Sequence, residues 1–444
     1  MDIQGKKVLV LGLARSGRES ARFLANQGAQ VLVSDVRSAR ELKPEMAQLE
    51  SLPIQYRLGG EDRQWLDGVD LVVTSPGVPA TNPLLREAGA RGIKIWSEVE
   101  LAWHFLGVSL IAVTGTNGKS TTTTLVGEIF RKSGARVFVG GNLGSPLVGF
   151  VADEWTWGVV EISSFQLEWV ESFRPRIAVL LNLTEDHLDR YPNFAAYCRT
   201  KERLFAAQEE ADIAILNRDD PLVWDMRERV RARIVSIGFG EVGQGVFATN
   251  REIVWREAST EEKFPLERVK IQGIHNVENM MAAIAAAKAA GIHRSIIQEV
   301  LEAFPGLEHR LEFVREKNGV RYYDDSKGTN VGAVLKSLSS FSAPVILLAG
   351  GVDKGGDYGI LANAIRKKVR RLVLFGAARE LMAQALGHLT ETVIVNNLEN
   401  AVSDASAHAR PGEVVLLSPA CSSFDMFRDY GERGRVFKRL VNSL

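Results

Sequence analysis

Hydrophobic runs alternate with amphipathic segments over the N-terminal part of the chain. The run KKVLVLGL is followed by a helical pattern over 18–27, by AQVLVSD, by a second helical pattern and by DLVVTSPG. A strand that ends in glycine, then a helix, then a strand that ends in Asp predicts a βαβ unit. We therefore expect an N-terminal domain over residues 1–97.

A second α/β region follows and begins with the run SLIAVTG. Near-continuous runs of Val, Ile and Leu recur in VFVGGNLG, WGVVEIS, IAVLLNL, ADIAILN and ARIVSIGF. Such runs predict a mostly parallel sheet that is covered on both faces. The shorter alternating pieces VFATN, EIVWR and ERVKIQG predict antiparallel strands, and HNVENMMAAIAAAKAAG predicts a long helix. We place this central domain at 98–305.

The remaining residues return to strict strand and helix alternation. RYYDD, APVILLAGG, RLVLFG, TVIVN and EVVLLSPA are separated by helical patterns. This order predicts a third α/β domain of doubly wound, Rossmann-like type over residues 306–444.

Composition and charge narrow the class of protein. A chain of 444 residues that is 45% hydrophobic and 24% charged is globular rather than disordered or fibrous. The 54 basic and 54 acidic residues cancel, which argues against a nucleic-acid partner. The two cysteines, Cys198 and Cys421, exclude a disulfide scaffold and fit a reducing cytosol. No apolar stretch reaches the roughly 18 residues of a membrane span. We expect a cytoplasmic protein with no membrane partner.

The strongest chemical signal is VTGTNGKSTTTT, residues 113–124, where a predicted strand runs through glycines into a predicted helix. Glycines let backbone amides approach an anion, the helix N-terminus favours negative charge, and a lysine neutralises phosphate. The segment predicts a phosphate loop and a central domain of the P-loop ATPase kind. Val113 stands where the general pattern has its first glycine.

Three other side chains are ambiguous when taken alone. Glu161 ends the predicted buried strand WGVVEIS, where a carboxylate needs a cation or a structural ion pair. His187 lies in an acidic loop, as many surface histidines do, and Lys201 lies on a predicted helix over 195–208 that could face solvent.

The loop GLARSG, residues 12–17, followed by Asp35, is typical of a weak dinucleotide fingerprint with Ala14 in place of the middle glycine.

Further segments extend a match to one family over nearly the whole chain, which resembles the Mur ligases. The matching segments are GGNLGSP at 140–146, EISSFQLE at 161–168, NLTEDHLDRY at 182–191, HNVENMMAA at 275–283, EHRLE at 308–312, DDSKGTN at 324–330, AGGVDKGGD at 349–357 and SPACSSFDMF at 418–427. DDSKGTN is the most discriminating segment, because the sister ligases that add L-alanine or a third amino acid differ after the aspartate.

The resemblance implies an ATP-dependent ligase of peptidoglycan precursor synthesis. Its implied substrates are UDP-N-acetylmuramoyl-L-alanine and D-glutamate, joined through an acyl phosphate with release of ADP and phosphate. Its implied cofactors are ATP, two Mg²⁺ ions and a carbamate on Lys201. We expect the chain to act as a monomer, with a third domain that closes over the site.

The resemblance also implies a role for individual residues. Those that match ATP-binding positions are Gly115, Thr116, Asn117, Gly118, Lys119, Ser120, Thr121, Asn279, Arg310 and Asp325. Those that match positions around the uridine nucleotide are Leu13, Ala14, Asp35, Arg37, Ser75, Gly77 and Asn142. Those that match D-glutamate positions are His187, Lys327, Thr329, Lys354, Ser423 and Tyr430. The implied magnesium ligands are Ser120, Glu161, His187 and carbamylated Lys201, and the implied catalytic residues are Lys119, Glu161, His187 and Lys201.

One implied position departs from the family pattern. An aromatic residue without a hydroxyl is expected where Tyr430 stands, and we expect its backbone amide to be the functional group.

Two alternatives stay open at this point. A nicotinamide-dependent oxidoreductase would explain the GLARSG loop but nothing beyond residue 40. A folylpolyglutamate synthetase would share the ATP loop but should lack the nucleotide-binding first domain.

Overall fold

The computed structural model describes residues 2–271 and 273–444, which form three sheets that follow one another along the chain. The first sheet is parallel throughout, in the order β3-β2-β1-β4-β5. Its strands are β1 (Lys7–Leu11), β2 (Gln30–Asp35), β3 (Ile54–Leu58), β4 (Leu71–Thr74) and β5 (Lys94–Ser97). Its helices are α1 (Arg15–Asn26), α2 (Lys43–Ala47) and α3 (Pro83–Ala90), and α4 (Glu98–Trp103) leads into the next sheet.

Helix α1 begins at Arg15 rather than at the expected residue 18. The reason is a close approach between the loop and the helix. A Cβ added to Gly17 would lie 1.8 Å from the Gly12 carbonyl oxygen, so only glycine lets the first turn fold onto the loop. The loop after β1 therefore runs directly into a helix N-terminus.

The central sheet has nine strands in the order β14-β13-β12-β11-β10-β9-β6-β8-β7. They are β6 (Ser109–Thr114), β7 (Val137–Gly141), β8 (Trp157–Glu161), β9 (Ile177–Leu180), β10 (Ile213–Asn217), β11 (Arg233–Phe239), β12 (Gly245–Ala248), β13 (Glu252–Glu257) and β14 (Thr260–Pro265). Its helices are α5 (Lys119–Lys132), α6 (Ser164–Leu167), α7 (Phe194–Glu202), α8 (Pro221–Asp225), α9 (Ile274–Ala289) and α10 (Arg294–Ala303).

The antiparallel part of this sheet differs from the expectation in two ways. Strand β12, which contains most of VFATN, pairs in parallel with β11 and antiparallel with β13. The edge strand is Thr260–Pro265, whereas no strand forms over the described residues of ERVKIQG, and Gln272 of that segment lies outside them. The sequence TEEKFP concealed an edge strand because Phe264 is its only buried residue.

The third sheet has six strands in the order β15-β16-β20-β17-β18-β19. They are β15 (Glu312–Lys317), β16 (Val320–Asp324), β17 (Val345–Gly350), β18 (Val369–Phe375), β19 (Glu391–Ile394) and β20 (Val414–Leu417). Its helices are α11 (Val331–Ser339), α12 (Ala362–Lys368), α13 (Arg379–Leu386), α14 (Leu398–His408) and α15 (Tyr430–Ser443). Strand β15, antiparallel to β16 and without a buried residue, had no signal in the hydrophobic pattern.

The domain limits at 97/98 and 305/306 fall between these sheets and stay predictions. Among the described residues, no helix combines the length and the apolar character needed to cross a bilayer.

Helix α4 joins the first sheet to the central domain and carries two fully buried carboxylates, Glu98 and Glu100. Glu100 accepts hydrogen bonds from the backbone N–H groups of Glu171, Ser172 and Phe173 at 2.9, 2.8 and 3.0 Å. Burial raises the pKa of Glu98, although backbone bonds from Leu147 and Val148 oppose that shift. Buried donors that lose their acceptor cost free energy, so this junction depends on Glu100.

Glu100→Ala should destabilise the protein because it leaves three backbone donors without their acceptor. We expect a loss of roughly 3 kcal/mol in the free energy of unfolding, measured by urea denaturation. The control is Glu128→Ala, which removes an exposed ion pair to Arg131 and should cost under about 1 kcal/mol. Equal midpoints for the two variants would contradict the assignment.

Candidate active site

The carboxyl ends of parallel strands from the central and third sheets face each other across one cavity of about 380 Å³. Strand β6 leads into the phosphate loop, β8 ends at Glu161, and β16 leads into the loop that carries Lys327. The residues expected from the sequence that line this cavity are Thr116, Asn117, Lys119, Ser120, Asn142, Glu161, His187, Lys201, Arg310, Lys327, Thr329 and Lys354. Ligands bind at such strand ends in open α/β sheets.

The phosphate loop has the backbone geometry that its glycines allow. Gly115 and Gly118 have φ values of 145° and 89°, and a Cβ on Gly118 would lie 2.2 Å from Asn279 Oδ1. Lys119 begins helix α5, and its Nζ donates to the carbonyl oxygens of Gly115 and Thr116, each at 2.9 Å. The free N–H groups of a helix N-terminus and a lysine together favour an anion.

Glu161 is buried at the end of β8 and carries a charge. Burial alone would raise its pKa, but the positive charge of Lys119 and a hydrogen bond from Asn142 help to lower it. Asn142 Nδ2 donates to Oε1 at 2.5 Å, whereas the buried Oε2 accepts no hydrogen bond from the described residues. A buried carboxylate oxygen without a donor fits a bound cation.

Lys201 is buried to 1% exposure, unlike the solvated lysine that its helical pattern allowed. Burial, reinforced by repulsion from Lys119, lowers its pKa well below the usual value. Its Nζ lies 3.3 Å from Thr114 Oγ1 and 4.9 Å from the centre of the Tyr197 ring. This environment favours the neutral amine, which is the nucleophilic form of lysine.

Asp186 is the main functional candidate that sequence reasoning passed over. Its Oδ1 accepts a hydrogen bond from Lys354 Nζ at 3.2 Å, and its Oδ2 accepts one from Asn330 Nδ2 at 3.1 Å. Burial opposes its charge, yet Lys354, His187 and Asn330 lower its pKa. The signal available was the acidic string TEDHLD, in which nothing distinguished Asp186 from Glu185 and Asp189.

His187 follows with a positive φ of 57°, and its ring packs against Phe165 at 4.6 Å. Burial lowers its pKa to about 4, against the opposing charge of Asp186. The imidazole is therefore neutral near pH 7 and can act as a ligand or hydrogen-bond acceptor.

Polar side chains of the third domain contact the central domain around the cavity. Arg310 Nη2 donates to Ser120 Oγ at 3.0 Å. Asn330, which caps helix α11, exchanges amide contacts of 3.3 and 3.4 Å with Asn117 of the phosphate loop. Lys336 pairs with Glu278 on α9. These contacts join the third domain to the phosphate loop and to helix α9.

A smaller cavity of about 60 Å³ adjoins the first and is lined by Gly118, Thr121, Asn279, Arg310 and Asp325. Asp325 accepts hydroxyl hydrogen bonds from Ser337 at 2.6 Å and Ser418 at 2.7 Å. Burial raises its pKa to about 6 despite those bonds. These are five of the residues expected at ATP.

A third cavity of about 700 Å³ lies at the carboxyl edge of the first sheet. Ala14, Asp35, Arg37, Ser75 and Gly77 line it. Asp35 accepts a hydrogen bond from the Leu13 N–H at 2.8 Å and pairs with Arg37 at 2.9 Å. Burial opposes the charge of Asp35, but these partners lower its pKa.

Asn142 lines both this cavity and the central one, so the two sites adjoin. Four expected residues do not line any of the three cavities with a side chain. Leu13 and Gly115 contribute backbone groups to hydrogen bonds, and Ser423 is buried. The Tyr430 ring contacts Lys327. Besides Asp186, the residues that line the central cavity and that the sequence analysis did not single out are Ser163, Ser164, Phe165, Tyr197, Asn330 and Phe424.

Family models match most of the chain. Residues 6–97 match the Mur ligase MurD-like N-terminal domain, 113–287 the Mur ligase middle domain, and 309–421 the Mur ligase glutamate ligase domain. Proteins named UDP-N-acetylmuramoylalanine--D-glutamate ligase from Geobacter metallireducens and Geotalea uraniireducens are each 50% identical to this chain. Each alignment covers 100% of this chain and 99% of the relative.

Solved structures agree in fold. A pseudomurein peptide ligase type C from Methanothermus fervidus has a TM-score of 0.63 at 18% identity, with 99% of this chain and 100% of that chain covered. MurF ligase from Thermotoga maritima, in complex with ADP, has a TM-score of 0.61 at 15% identity, with 100% and 99% covered. The expected three-domain α/β architecture is confirmed, and the chain belongs to the Mur ligase family.

Proposed function

We propose that this chain joins D-glutamate to UDP-N-acetylmuramoyl-L-alanine at the expense of ATP, in peptidoglycan precursor synthesis. One observation carries the proposal: the phosphate-loop Lys119, the buried Glu161 and the third-domain Lys327 and Lys354 line a single cavity. Full-length relatives at 50% identity that bear this activity in their names support the same substrates. The nucleotide cavity of the first domain disfavours a folylpolyglutamate synthetase, which should lack it.

The chemistry requires an activated carboxylate, because amide formation in water is uphill. The γ-phosphate of ATP passes to the carboxylate of the muramoyl-alanine substrate and gives an acyl phosphate. Lys119 of the phosphate loop and Arg310 of the third domain neutralise the charge of the transferring phosphoryl group. The neutral amine of D-glutamate then attacks the acyl carbon and loses one proton, and the tetrahedral intermediate expels phosphate to leave the amide.

In this proposal the substrates occupy adjoining cavities. The uridine nucleotide lies over the loop of Leu13 and Ala14, with Asp35, Arg37, Ser75 and Gly77 around it. Its pyrophosphate approaches the N-terminus of α1, where backbone N–H groups favour an anion. Asn142 lines both cavities and would guide the muramoyl part toward Lys119.

D-glutamate brings two carboxylates, and the third domain offers two lysines. Lys354 Nζ lies 3.4 Å from Thr329 Oγ1, and both residues line the cavity together with Lys327. We assign them to the carboxylates, with His187, Ser423 and the backbone amide of Tyr430 as further contacts. Lys354 already forms an ion pair with Asp186, so the substrate carboxylate would bind beside that pair.

Two Mg²⁺ ions fit the donors that surround the phosphate loop. Ser120, Glu161, His187 and a carbamate on Lys201 would hold them, and the unpartnered Oε2 of Glu161 supports this donor set. Bound magnesium supplies charge neutralisation for the phosphate oxygens. Lys201 reaches that role when its neutral amine attacks carbon dioxide, forms an N–C bond and releases one proton.

We further propose domain limits of 1–97, 98–305 and 306–444, and a cytoplasmic monomer. Residues of a single chain line each of the three cavities, which supports an active site that needs no residue from a second copy.

Phosphate release from ATP tests the substrate assignment directly. With the muramoyl nucleotide present, we expect release with D-glutamate and none above background with L-glutamate, L-alanine or diaminopimelate. Release without D-glutamate would reject the amino-acid substrate, and no release with any of them would reject the ligase assignment.

Lys119→Ala should lower the rate of phosphate release by roughly 10²–10³-fold, because it removes a charge that stabilises the transferring phosphoryl group. The matched control is Lys132→Ala at the other end of α5, where the side chain is 49% exposed and pairs with Glu299. That variant should keep the wild-type rate. Full turnover by Lys119→Ala would refute the phosphate-loop assignment.

A carbamate on Lys201 should be visible when the enzyme is equilibrated with ¹³C-bicarbonate. We expect a carbamate carbon resonance in the wild type and none in Lys201→Ala, together with lower activity in buffer depleted of carbon dioxide. Lys288→Ala serves as control, since that lysine pairs with Glu262 away from the cavity. A resonance that persists in Lys201→Ala would place the carbamate elsewhere.

A further inference from the structure

Lys327 lies against the aromatic ring of Tyr430, a residue for which only the backbone amide was expected to act. Its Nζ is 3.6 Å from the centre of the Tyr430 ring. An ammonium over a ring face within about 6 Å is attracted by the ring quadrupole. Lys327 also lines the central cavity, so the ring contacts a charged group of that site.

The backbone around this contact is tied down on both sides. Asp429 caps helix α15 and thereby starts the helix at Tyr430. Ser326, the residue before Lys327, donates its hydroxyl to the Tyr430 carbonyl oxygen at 2.8 Å. Arg433, one turn further along α15 and fully buried, donates to Ser326 Oγ at 3.0 Å and to its carbonyl oxygen at 2.8 Å. These side-chain hydrogen bonds fix the backbone beside Lys327 relative to the start of α15, which carries the Tyr430 ring.

Lys327 needs such support because its neighbours repel it. Burial, followed by the charge of Arg310, lowers its pKa to about 7, and Lys119 and Lys354 act in the same direction. Glu161 is the opposing anion. A ring face stabilises the ammonium without adding a second carboxylate, which would compete with anionic substrates for the same lysines.

We propose that Tyr430 is a positioning residue that holds the Lys327 ammonium at the wall of the cavity by a cation–π contact, and that its ring rather than its hydroxyl does so. The Tyr430 hydroxyl has no hydrogen bond among the residues the structure describes, whereas the ring has this contact and an edge contact to His309 at 6.4 Å. The inference rests on the proposed function, and it assigns a role to the side chain where sequence analysis expected only the backbone amide.

A double-mutant cycle on the full chain tests the proposal, with phosphate release in the presence of both substrates as the assay. Tyr430→Leu should lower kcat/KM by roughly 3- to 30-fold, the range expected for a cation–π contact, and Tyr430→Phe should restore most of that loss. In a Lys327→Met background, Tyr430→Leu should cause less than about a twofold further change. Equal losses for the Phe and Leu variants, or additive losses with Lys327→Met, would overturn the proposal.

A second measurement decides the outcome if Lys327→Met has no measurable turnover. Brief labelling with a small acylating reagent, read by mass spectrometry, compares Lys327 with Lys288, which lies 4.5 Å over the Trp255 ring on β13. Tyr430→Leu should raise labelling of Lys327 several-fold relative to Lys288, and Tyr430→Phe should not. Unchanged labelling in Tyr430→Leu would refute the contact.

The control variant Trp255→Leu removes the ring under Lys288 and should leave the rate of phosphate release unchanged. Wild-type turnover in the same assay tests the ligase function by itself. Failure of that function is therefore distinct from failure of the Tyr430 assignment.

Discussion

The charge balance of the central cavity is the constraint on which the rest of the site depends. Lys119, Lys327, Lys354 and Arg310 come from two domains and line the same space, while Glu161 and Asp186 are buried among them. Like charges in a poorly solvated space repel strongly, so the two carboxylates are what allow the cations to approach. The remaining positive charge suits phosphate and carboxylate groups, which explains how a chain of zero net charge can bind anionic substrates.

Polar side-chain pairs join the third domain to the central domain at the cavity. Ser120 with Arg310, Asn117 with Asn330, and Asp186 with Lys354 join the two domains at the cavity. Polar pairs of this kind exchange readily with water, unlike a large apolar interface. The domain motion that we expect for nucleotide entry into the adjoining 60 Å³ space would separate these polar pairs.

Burial changes what individual side chains can do in this protein. Lys201 favours the neutral amine, and His187 is a neutral imidazole with a pKa near 4. Asp325 has a pKa of about 6, whereas Glu161 stays ionised because Lys119 faces it. These differences arise from the neighbours of each group, which lie far away in sequence. Residue type alone therefore cannot assign the protonation states on which the proposed chemistry depends.

The sequence by itself determined the features that depend on neighbours along the chain. The phosphate loop and the buried strands follow from local spacing, and the family resemblance follows from segments such as DDSKGTN. Edge strands β14 and β15 were missed because strands with one buried residue or none have no hydrophobic pattern.

Only the tertiary structure decided which groups share a space. In the folded chain Lys201 is buried, Asp186 pairs with Lys354, and the Tyr430 ring contacts Lys327. The physical reason is that burial and charge pairing depend on distances between strands and domains, which a pattern along one chain does not contain.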